Sequence, residues 1–158
     1  MGRPTRKAQG SAAAEPPKRG KGIQKVPTGI AGLDRVLGGG VPAGRMTLVS
    51  GGAGSGKSMI GLQCLLHGAR AGEPGILVMF EERAASVRQN ARALGWDLTP
   101  LEKKNKLFLL DARLSPEVVI SGDFSIKSLL EILNQKAKAM RARRIVIDAV
   151  EGVRQICG

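Results

Sequence analysis

Residues 48–61 read LVSGGAGSGKSMIG, which contains a complete G-x-x-x-x-G-K-[ST] motif. An apolar run at residues 46–50 precedes the glycines and predicts a short buried strand, and residues 57–71 have helical spacing. Glycines in such a loop can take positive φ angles, so successive backbone N–H groups can converge on one anion. A helix that begins at Lys57 directs the positive end of its dipole at the same anion. The stretch therefore predicts a strand, a phosphate-binding loop and a helix, in that order.

Each position of the motif has a chemical role in binding a nucleotide. Lys57 brings a mobile positive charge to the β- and γ-phosphates, and Ser58 offers a small, hard oxygen to Mg²⁺. In chains with this much glycine, a chance match to the motif is expected in roughly a couple of per cent of sequences. The predicted nucleotide-binding residues are Gly51, Gly52, Ala53, Gly54, Ser55, Gly56, Lys57 and Ser58.

The composition favours an α/β nucleotide-binding fold. The 158 residues are 42% hydrophobic but only 3% aromatic, and 22 of them are glycines. This indicates an aliphatic core with many tight turns, which is typical of α/β domains rather than of β-sandwiches. No apolar run approaches the ~20 residues of a membrane span, and the N-terminus lacks the apolar segment of a secretory signal. Two cysteines without metal-like spacing are typical of a protein of the reducing cytoplasm.

The net charge of +12 is concentrated in an N-terminal tail. Residues 1–25 carry seven basic side chains against one acidic side chain, which is half of the net charge. The tail is rich in glycine, proline, alanine and lysine and has few apolar groups, so we expect it to be disordered. It is either a solubilising leader or a basic arm that binds nucleic acid or another polyanion. The ordered domain is expected to cover residues 26–158.

Strand patterns alternate with helical patterns along the rest of the chain. Apolar runs at residues 76–80, 107–110 and 145–148 predict buried strands, as expected for a parallel sheet that is covered on both faces. Helical patterns separate these runs, and Thr28 is a candidate cap for a further short helix that ends at three glycines, residues 38–40. Such alternation predicts a mostly parallel, doubly wound α/β sheet.

Acidic side chains close two of the predicted strands. Asp148 ends the apolar run of RARRIVID, which is the Walker B pattern, and an aspartate there can hold Mg²⁺ through water, opposite Ser58. Glu81 and Glu82 follow the run at residues 76–80. Because ligands bind beyond the carboxyl ends of parallel strands, this pair could orient and deprotonate an attacking water. The alternative, a solvated pair of glutamates, stays open on these grounds, and no arginine can be assigned to the transferred phosphoryl group.

Longer segments of the sequence resemble the KaiC-like branch of the RecA superfamily of P-loop ATPases. The segment TGIAGLDRVLGGGVPAGRMTLVSGGAGSGKS is similar to the opening of a KaiC domain, and VMFEER, NKLFLLDAR, SGDFSIKSLLEIL and RARRIVIDAV follow its pattern. The resemblance implies Mg²⁺-dependent ATP binding and hydrolysis between subunits of a homo-oligomeric ring, usually a hexamer. It implies that Lys57 and Ser58 contact phosphate and Mg²⁺. It also implies that Glu81 and Glu82 are the catalytic carboxylates and that Asp148 is the Walker B residue.

The resemblance further implies that a KaiC domain continues beyond residue 158. In this superfamily the strand after Walker B lies between the P-loop strand and the Walker B strand. We therefore expect a truncated product or fragment with a sheet that is incomplete on its C-terminal side, with weak turnover of ATP and no support for autokinase activity. Two other hypotheses stay open: a DNA-dependent, recombinase-like ATPase with the basic tail as a DNA arm, and an inactive nucleotide-binding partner in signalling or assembly.

Overall fold

The computed structural model describes residues 22–113 and 126–148. Two short strands, β1 (Lys25–Val26) and β2 (Val41–Pro42), pair antiparallel, and helix α1 (Ala31–Val36) lies between them in the chain. The other elements, in chain order, are α2 (Lys57–Arg70), β3 (Gly75–Met79), α3 (Ala84–Ala93), α4 (Thr99–Lys103), β4 (Leu107–Asp111), α5 (Ile126–Met140) and β5 (Arg144–Asp148). Residues 1–21 of the predicted tail lie outside the described ranges. Among the described helices, none combines the length and the apolar character that crossing a membrane requires.

The larger sheet has the strand order β4-β3-β5, and both pairings are parallel. Met79 is opposite Asp111 on one side and Asp148 on the other, so the three carboxyl ends meet at one edge. Helices connect the strands, as parallel pairing requires. The alternation of strands and helices that the sequence predicts is confirmed for β3, β4 and β5.

Strand β3 forms the centre of the core, because all five of its residues are buried. Its side chains alternate between the two faces of the sheet, as strand geometry requires. Leu77 and Met79 join a cluster that contains three fully buried leucines of α2, whereas Ile76 and Val78 join a cluster that includes Met140 of α5. The sheet is therefore covered by helices on both faces, which explains why the sequence of β3 is an unbroken apolar run.

Arg144, the first residue of β5, is a charged side chain buried at the junction of several elements. Its guanidinium donates to the backbone oxygens of Pro27 (2.7 Å) and Cys64 (2.9 Å), and to Oε2 of Glu73 (2.6 and 2.9 Å). Gly68 leaves room for it, because an added Cβ there would overlap the Arg144 side chain. These contacts tie the N-terminal segment, helix α2 and the turn before β3 to the sheet.

The prediction of a strand at residues 46–50 is wrong, because the described structure has no strand there. Met46 is 95% exposed and Leu48 is 75% exposed, and within the described ranges no strand pairing includes this run. Strand β5 is an edge of the three-stranded sheet, and Ile145 and Ile147 on it are about half exposed. A strand forms only where a second strand accepts and donates its backbone hydrogen bonds. Within the described ranges residues 46–50 have no such partner, so their sequence pattern alone does not make them a strand.

Thr28 does not cap α1, because that helix begins at Ala31 and has Ile30 as its N-cap. The Thr28 hydroxyl instead donates to Oδ1 of Asp34 (2.7 Å) and accepts from the N–H of Ile30 (3.2 Å). Asp34 also accepts from the backbone N–H groups of Thr28 (2.8 Å) and Gly29 (3.1 Å). These hydrogen bonds, first of all that from the Thr28 N–H, hold the pKa of Asp34 below its ordinary value of 3.8. An aspartate inside the helix therefore orders the loop that precedes it.

Candidate phosphate-binding site

Residues that are far apart in the sequence line one cavity at the carboxyl ends of β3 and β5. The cavity has a volume of about 410 Å³. This edge of an α/β sheet is where ligands of such folds bind. The lining consists of loop residues, the start of α2 and the strand ends: Gly51, Ala53, Gly54, Lys57, Ser58, Met79, Glu81, Glu82 and Asp148. The structure thus brings the glycine-rich loop together with the three acidic residues that the sequence singles out.

The loop that leads into α2 takes a conformation that depends on its glycines. Gly54 and Gly56 have φ angles of 74° and 86°, which residues with a Cβ rarely adopt. Gly51 lies so close to Ser55 that an added Cβ would be 2.6 Å from the Ser55 hydroxyl. Gly56 caps α2 without a side-chain oxygen, and the first turn of α2 contains no acidic residue. The helix N-terminus therefore keeps its N–H groups and positive dipole end for an anion.

The Lys57 ammonium folds back onto this loop. Its Nζ donates to the backbone oxygens of Gly51 (2.9 Å) and Gly52 (3.0 Å). Both acceptors are neutral carbonyls, and none of the ion pairs in the described ranges includes Lys57. A phosphate oxygen is a stronger acceptor than a carbonyl for a charged donor, so it can replace either contact. The loop thus holds a positive charge at the cavity in a form that is available to an anion.

The acidic lining residues come from two neighbouring strands. Asp148 ends β5, and its backbone oxygen accepts from the N–H of Phe80 (2.9 Å), which joins the ends of β3 and β5. Glu81 and Glu82 lie on the irregular segment between β3 and α3, where Glu81 is exposed and Glu82 is partly buried. The carboxylates therefore reach the cavity from the sheet edge, and Lys57 reaches it from the loop.

Two further polar residues near this edge are absent from the set that the sequence predicts. Asn90 on α3 donates from Nδ2 to Oε2 of Glu82 (3.3 Å). Asp111 ends β4 in register with Met79, but it pairs with Arg113 (2.8 Å) and is not part of the cavity lining. The hydrogen bond from the Arg113 side chain holds the pKa of Asp111 below its ordinary value. For Asn90, helical spacing predicts only a surface position. Its contact with Glu82 depends on how α3 packs beside the carboxyl end of β3, which the sequence pattern does not give.

The donor set of the cavity fits Mg²⁺. A serine hydroxyl and carboxylates are the hard oxygen ligands that this ion prefers. Within residues 22–113 and 126–148, no group of three or more acidic, histidine or cysteine side chains is arranged to hold a metal ion alone. In phosphate sites, Mg²⁺ takes one or two protein oxygens and completes its shell with phosphates and water. No arginine is among the described residues that line the cavity.

Comparison with known proteins shows the family of the chain. The family model for the KaiC ATPase matches residues 26–157, which include the glycine-rich loop, both glutamates and Asp148. The chain belongs to the KaiC ATPase family. The circadian clock oscillator proteins KaiC of Prochlorococcus marinus subsp. pastoris and of Synechococcus elongatus are each 44% identical to it over 135 residues. The KaiC protein of Nostoc sp. is 41% identical over 138 residues.

These alignments cover most of this chain but a small part of each KaiC protein. They include 84–86% of the chain and 26–27% of the relatives. The chain therefore spans about a quarter of the length of the curated KaiC proteins that it matches. Membership of this family confirms the RecA-like P-loop fold class, and the three-stranded parallel sheet with flanking helices agrees with an incomplete form of that fold.

Proposed function

We propose that this KaiC-family chain binds Mg-ATP in the cavity between residues 51–58 and the ends of β3 and β5. The observation that carries the proposal is the placement of the Lys57 ammonium and three carboxylates on the lining of one cavity. A triphosphate with its metal needs both kinds of group at once, because the phosphates need positive charge and the metal needs oxygen ligands. A solvated glycine turn would bring neither to the sheet edge.

Each lining residue has a role in this binding mode. The loop N–H groups and the first turn of α2 would contact phosphate oxygens. Lys57 would exchange its carbonyl partners for the β- and γ-phosphates. Ser58 would ligate Mg²⁺ directly, and Asp148 would hold it through water. When bound, Mg²⁺ supplies positive charge that offsets the charge of the phosphate oxygens.

Glu81 and Glu82 are proposed as the catalytic carboxylates of ATP hydrolysis. One carboxylate orients a water molecule and takes its proton while the water oxygen bonds to the γ-phosphorus. The bond from that phosphorus to the bridging oxygen breaks, and ADP and inorganic phosphate are the products. An arginine usually stabilises the charge that develops in this step. Since no described lining residue is an arginine, we expect a neighbouring subunit of a ring to supply it and turnover by a single chain to be weak.

A lysine substitution tests the binding proposal. In the full chain, Lys57→Ala is expected to weaken Mg-ATP binding at least about tenfold, measured by isothermal titration calorimetry, because a charged hydrogen bond to phosphate is lost. Lys104→Ala is the matched control, since Lys104 is exposed in the turn before β4, at the opposite end of the strands. Equal affinity of wild type and Lys57→Ala would refute the proposed site.

A carboxylate substitution tests the catalytic part. The double variant Glu81→Gln/Glu82→Gln is expected to keep Mg-ATP affinity and to lose hydrolysis by about a hundredfold or more. Unchanged hydrolysis would exclude these glutamates as the catalytic carboxylates, and no hydrolysis in the wild type would favour the inactive nucleotide-binding partner instead. Stimulation of hydrolysis by DNA, with salt-sensitive DNA binding that needs residues 1–25, would favour the recombinase-like ATPase.

A cytoplasmic location stays a prediction from the cysteine content.

A further inference from the structure

We propose that Asn90 is a positioning residue of this site, which orients the Glu82 carboxylate toward the cavity. The contact that carries the proposal joins Nδ2 of Asn90 to Oε2 of Glu82 at 3.3 Å, from α3 to the segment after β3. It rests on the proposed hydrolysis of ATP and deepens it, because it distinguishes the two adjacent glutamates by how each is held.

The glutamates need such a partner because the backbone beneath them is irregular. They follow the last residue of β3 and precede the first turn of α3, so neither the sheet nor a helix fixes their side chains. A glutamate side chain has several rotatable bonds, and ordering it costs conformational entropy. Glu81 is exposed and has no hydrogen-bond partner among the described residues, whereas Glu82 is partly buried and accepts from Asn90.

Helix α3 holds Asn90 in a fixed place. Val87 and Ala91, on either side of Asn90 in the chain, are buried in the core. Arg88 donates to both carboxylate oxygens of Glu102 on α4 (2.8 and 3.0 Å), which attaches the other flank of α3 to its neighbour. A helix held by buried side chains and by a two-point ion pair fixes the backbone at Asn90, from which the exposed amide reaches Glu82.

An amide is chemically suited to this task. A lysine or arginine at the same place would offset the negative charge that makes Glu82 a base, whereas a neutral amide donates a hydrogen bond and leaves that charge in place. The contact engages only Oε2, so Oε1 is left for the water. Fixing one oxygen sets the direction of the other, and the rate of a positioned reaction depends steeply on such geometry.

The test compares two amide-to-acid substitutions on α3 in the full chain, with steady-state hydrolysis measured over a range of ATP concentrations. Asn90→Asp keeps the shape of the side chain but has no donor at neutral pH. It is expected to lower kcat about tenfold and to leave KM within about twofold, because orientation and not binding is lost. Gln89→Glu makes the same charge change at an exposed neighbour without a contact to Glu82, and is expected to stay within about twofold of wild type.

A second variant and a double-mutant cycle separate positioning from folding. Asn90→Ala favours the helix and removes the donor, so it is expected to lower kcat as Asn90→Asp does. In a Glu82→Gln background, single-turnover assays should show no further loss on adding Asn90→Ala, because the residue acts through that carboxylate. An undiminished loss in that background, a similar loss in Gln89→Glu, or an unchanged kcat in Asn90→Asp would each overturn the proposal while the hydrolytic function stands. A wild-type chain that does not hydrolyse ATP would overturn both.

Discussion

Strand β3 and residues 46–50 are both five-residue segments with the sequence pattern of a buried strand, yet they lie in opposite environments. Leu77 in β3 is 2% exposed and has a strand on either side, whereas Leu48 is 75% exposed and no strand pairing in the described ranges includes it. Both runs are followed by residues of the proposed site. Comparing the two segments therefore shows whether a segment next to the proposed site must be buried and paired with other strands.

The glycine-rich loop is therefore positioned by the helix that follows it, and not by the run that precedes it. Leu62, Leu65 and Leu66 of α2 are fully buried against the sheet, so the start of α2 is fixed relative to the ends of β3 and β5. The run before the loop contributes little buried surface. The site can thus form around Lys57 while the segment that leads into it stays exposed.

Amide hydrogen exchange should give the largest contrast between the two segments. Exchange of the β3 amides is expected to be slowed by at least about a thousandfold, because these groups open only with the whole domain. The amides of residues 47–50 are expected to exchange within about tenfold of the rate of an unstructured peptide. Mass spectrometry or NMR of the full chain provides the measurement. Comparable protection of both segments would show that residues 46–50 have a strand partner in solution.

Matched leucine truncations should separate the segments by stability. Leu77→Ala is expected to lower the free energy of unfolding by about 2–5 kcal/mol, because it leaves a cavity between α2 and β3. Leu48→Ala removes the same atoms from an exposed position and should change it by less than about 0.5 kcal/mol. Urea unfolding monitored by circular dichroism measures both values. A large effect of Leu48→Ala would contradict the exposed position of the segment.

Arg144 provides a polar link on the β5 side of the sheet, where no further strand pairs within residues 22–113 and 126–148. Arg144→Ala is expected to lower the free energy of unfolding by about 3 kcal/mol, because the carbonyls of Pro27 and Cys64 lose their donor and Glu73 loses its partner. Glu73→Gln is the matched control and should cost about 1 kcal/mol or less, since Glu73 is partly exposed. Equal losses in the two variants would mean that the ion pair, and not the carbonyl contacts, carries the effect.

These contrasts also indicate how far the sequence predicts the molecule. Local patterns were sufficient for α2, for the buried run of β3 and for Asp148 at a strand end, because spacing and strand polarity fix those features. They fail where the outcome depends on a partner that the local pattern does not specify. Residues 46–50 have the pattern of a strand but pair with no other strand that the structure describes, and Thr28 has the residue type of a cap but hydrogen-bonds to Asp34. The contacts of Arg144 cross 71 to 117 residues, and the contact from Asn90 to Glu82 crosses eight residues and a loop, so no local period encodes either of them.

The smallest predicted effect concerns the loop ahead of α1 and depends on pH. The pKa of Asp34 is lowered by its hydrogen bonds to the Thr28 and Gly29 loop, so its carboxylate stabilises the fold above the ordinary value of 3.8. That contribution is lost as the pH falls through the lowered pKa. Asp34→Asn is therefore expected to cost less than about 1 kcal/mol at pH 6 and less still below about pH 4. Glu131→Gln, at an exposed position on α5, is the control for the change of charge. Urea unfolding at several pH values measures the difference, and a gap that widens toward low pH would have the wrong sign for a carboxylate stabilised in its charged form.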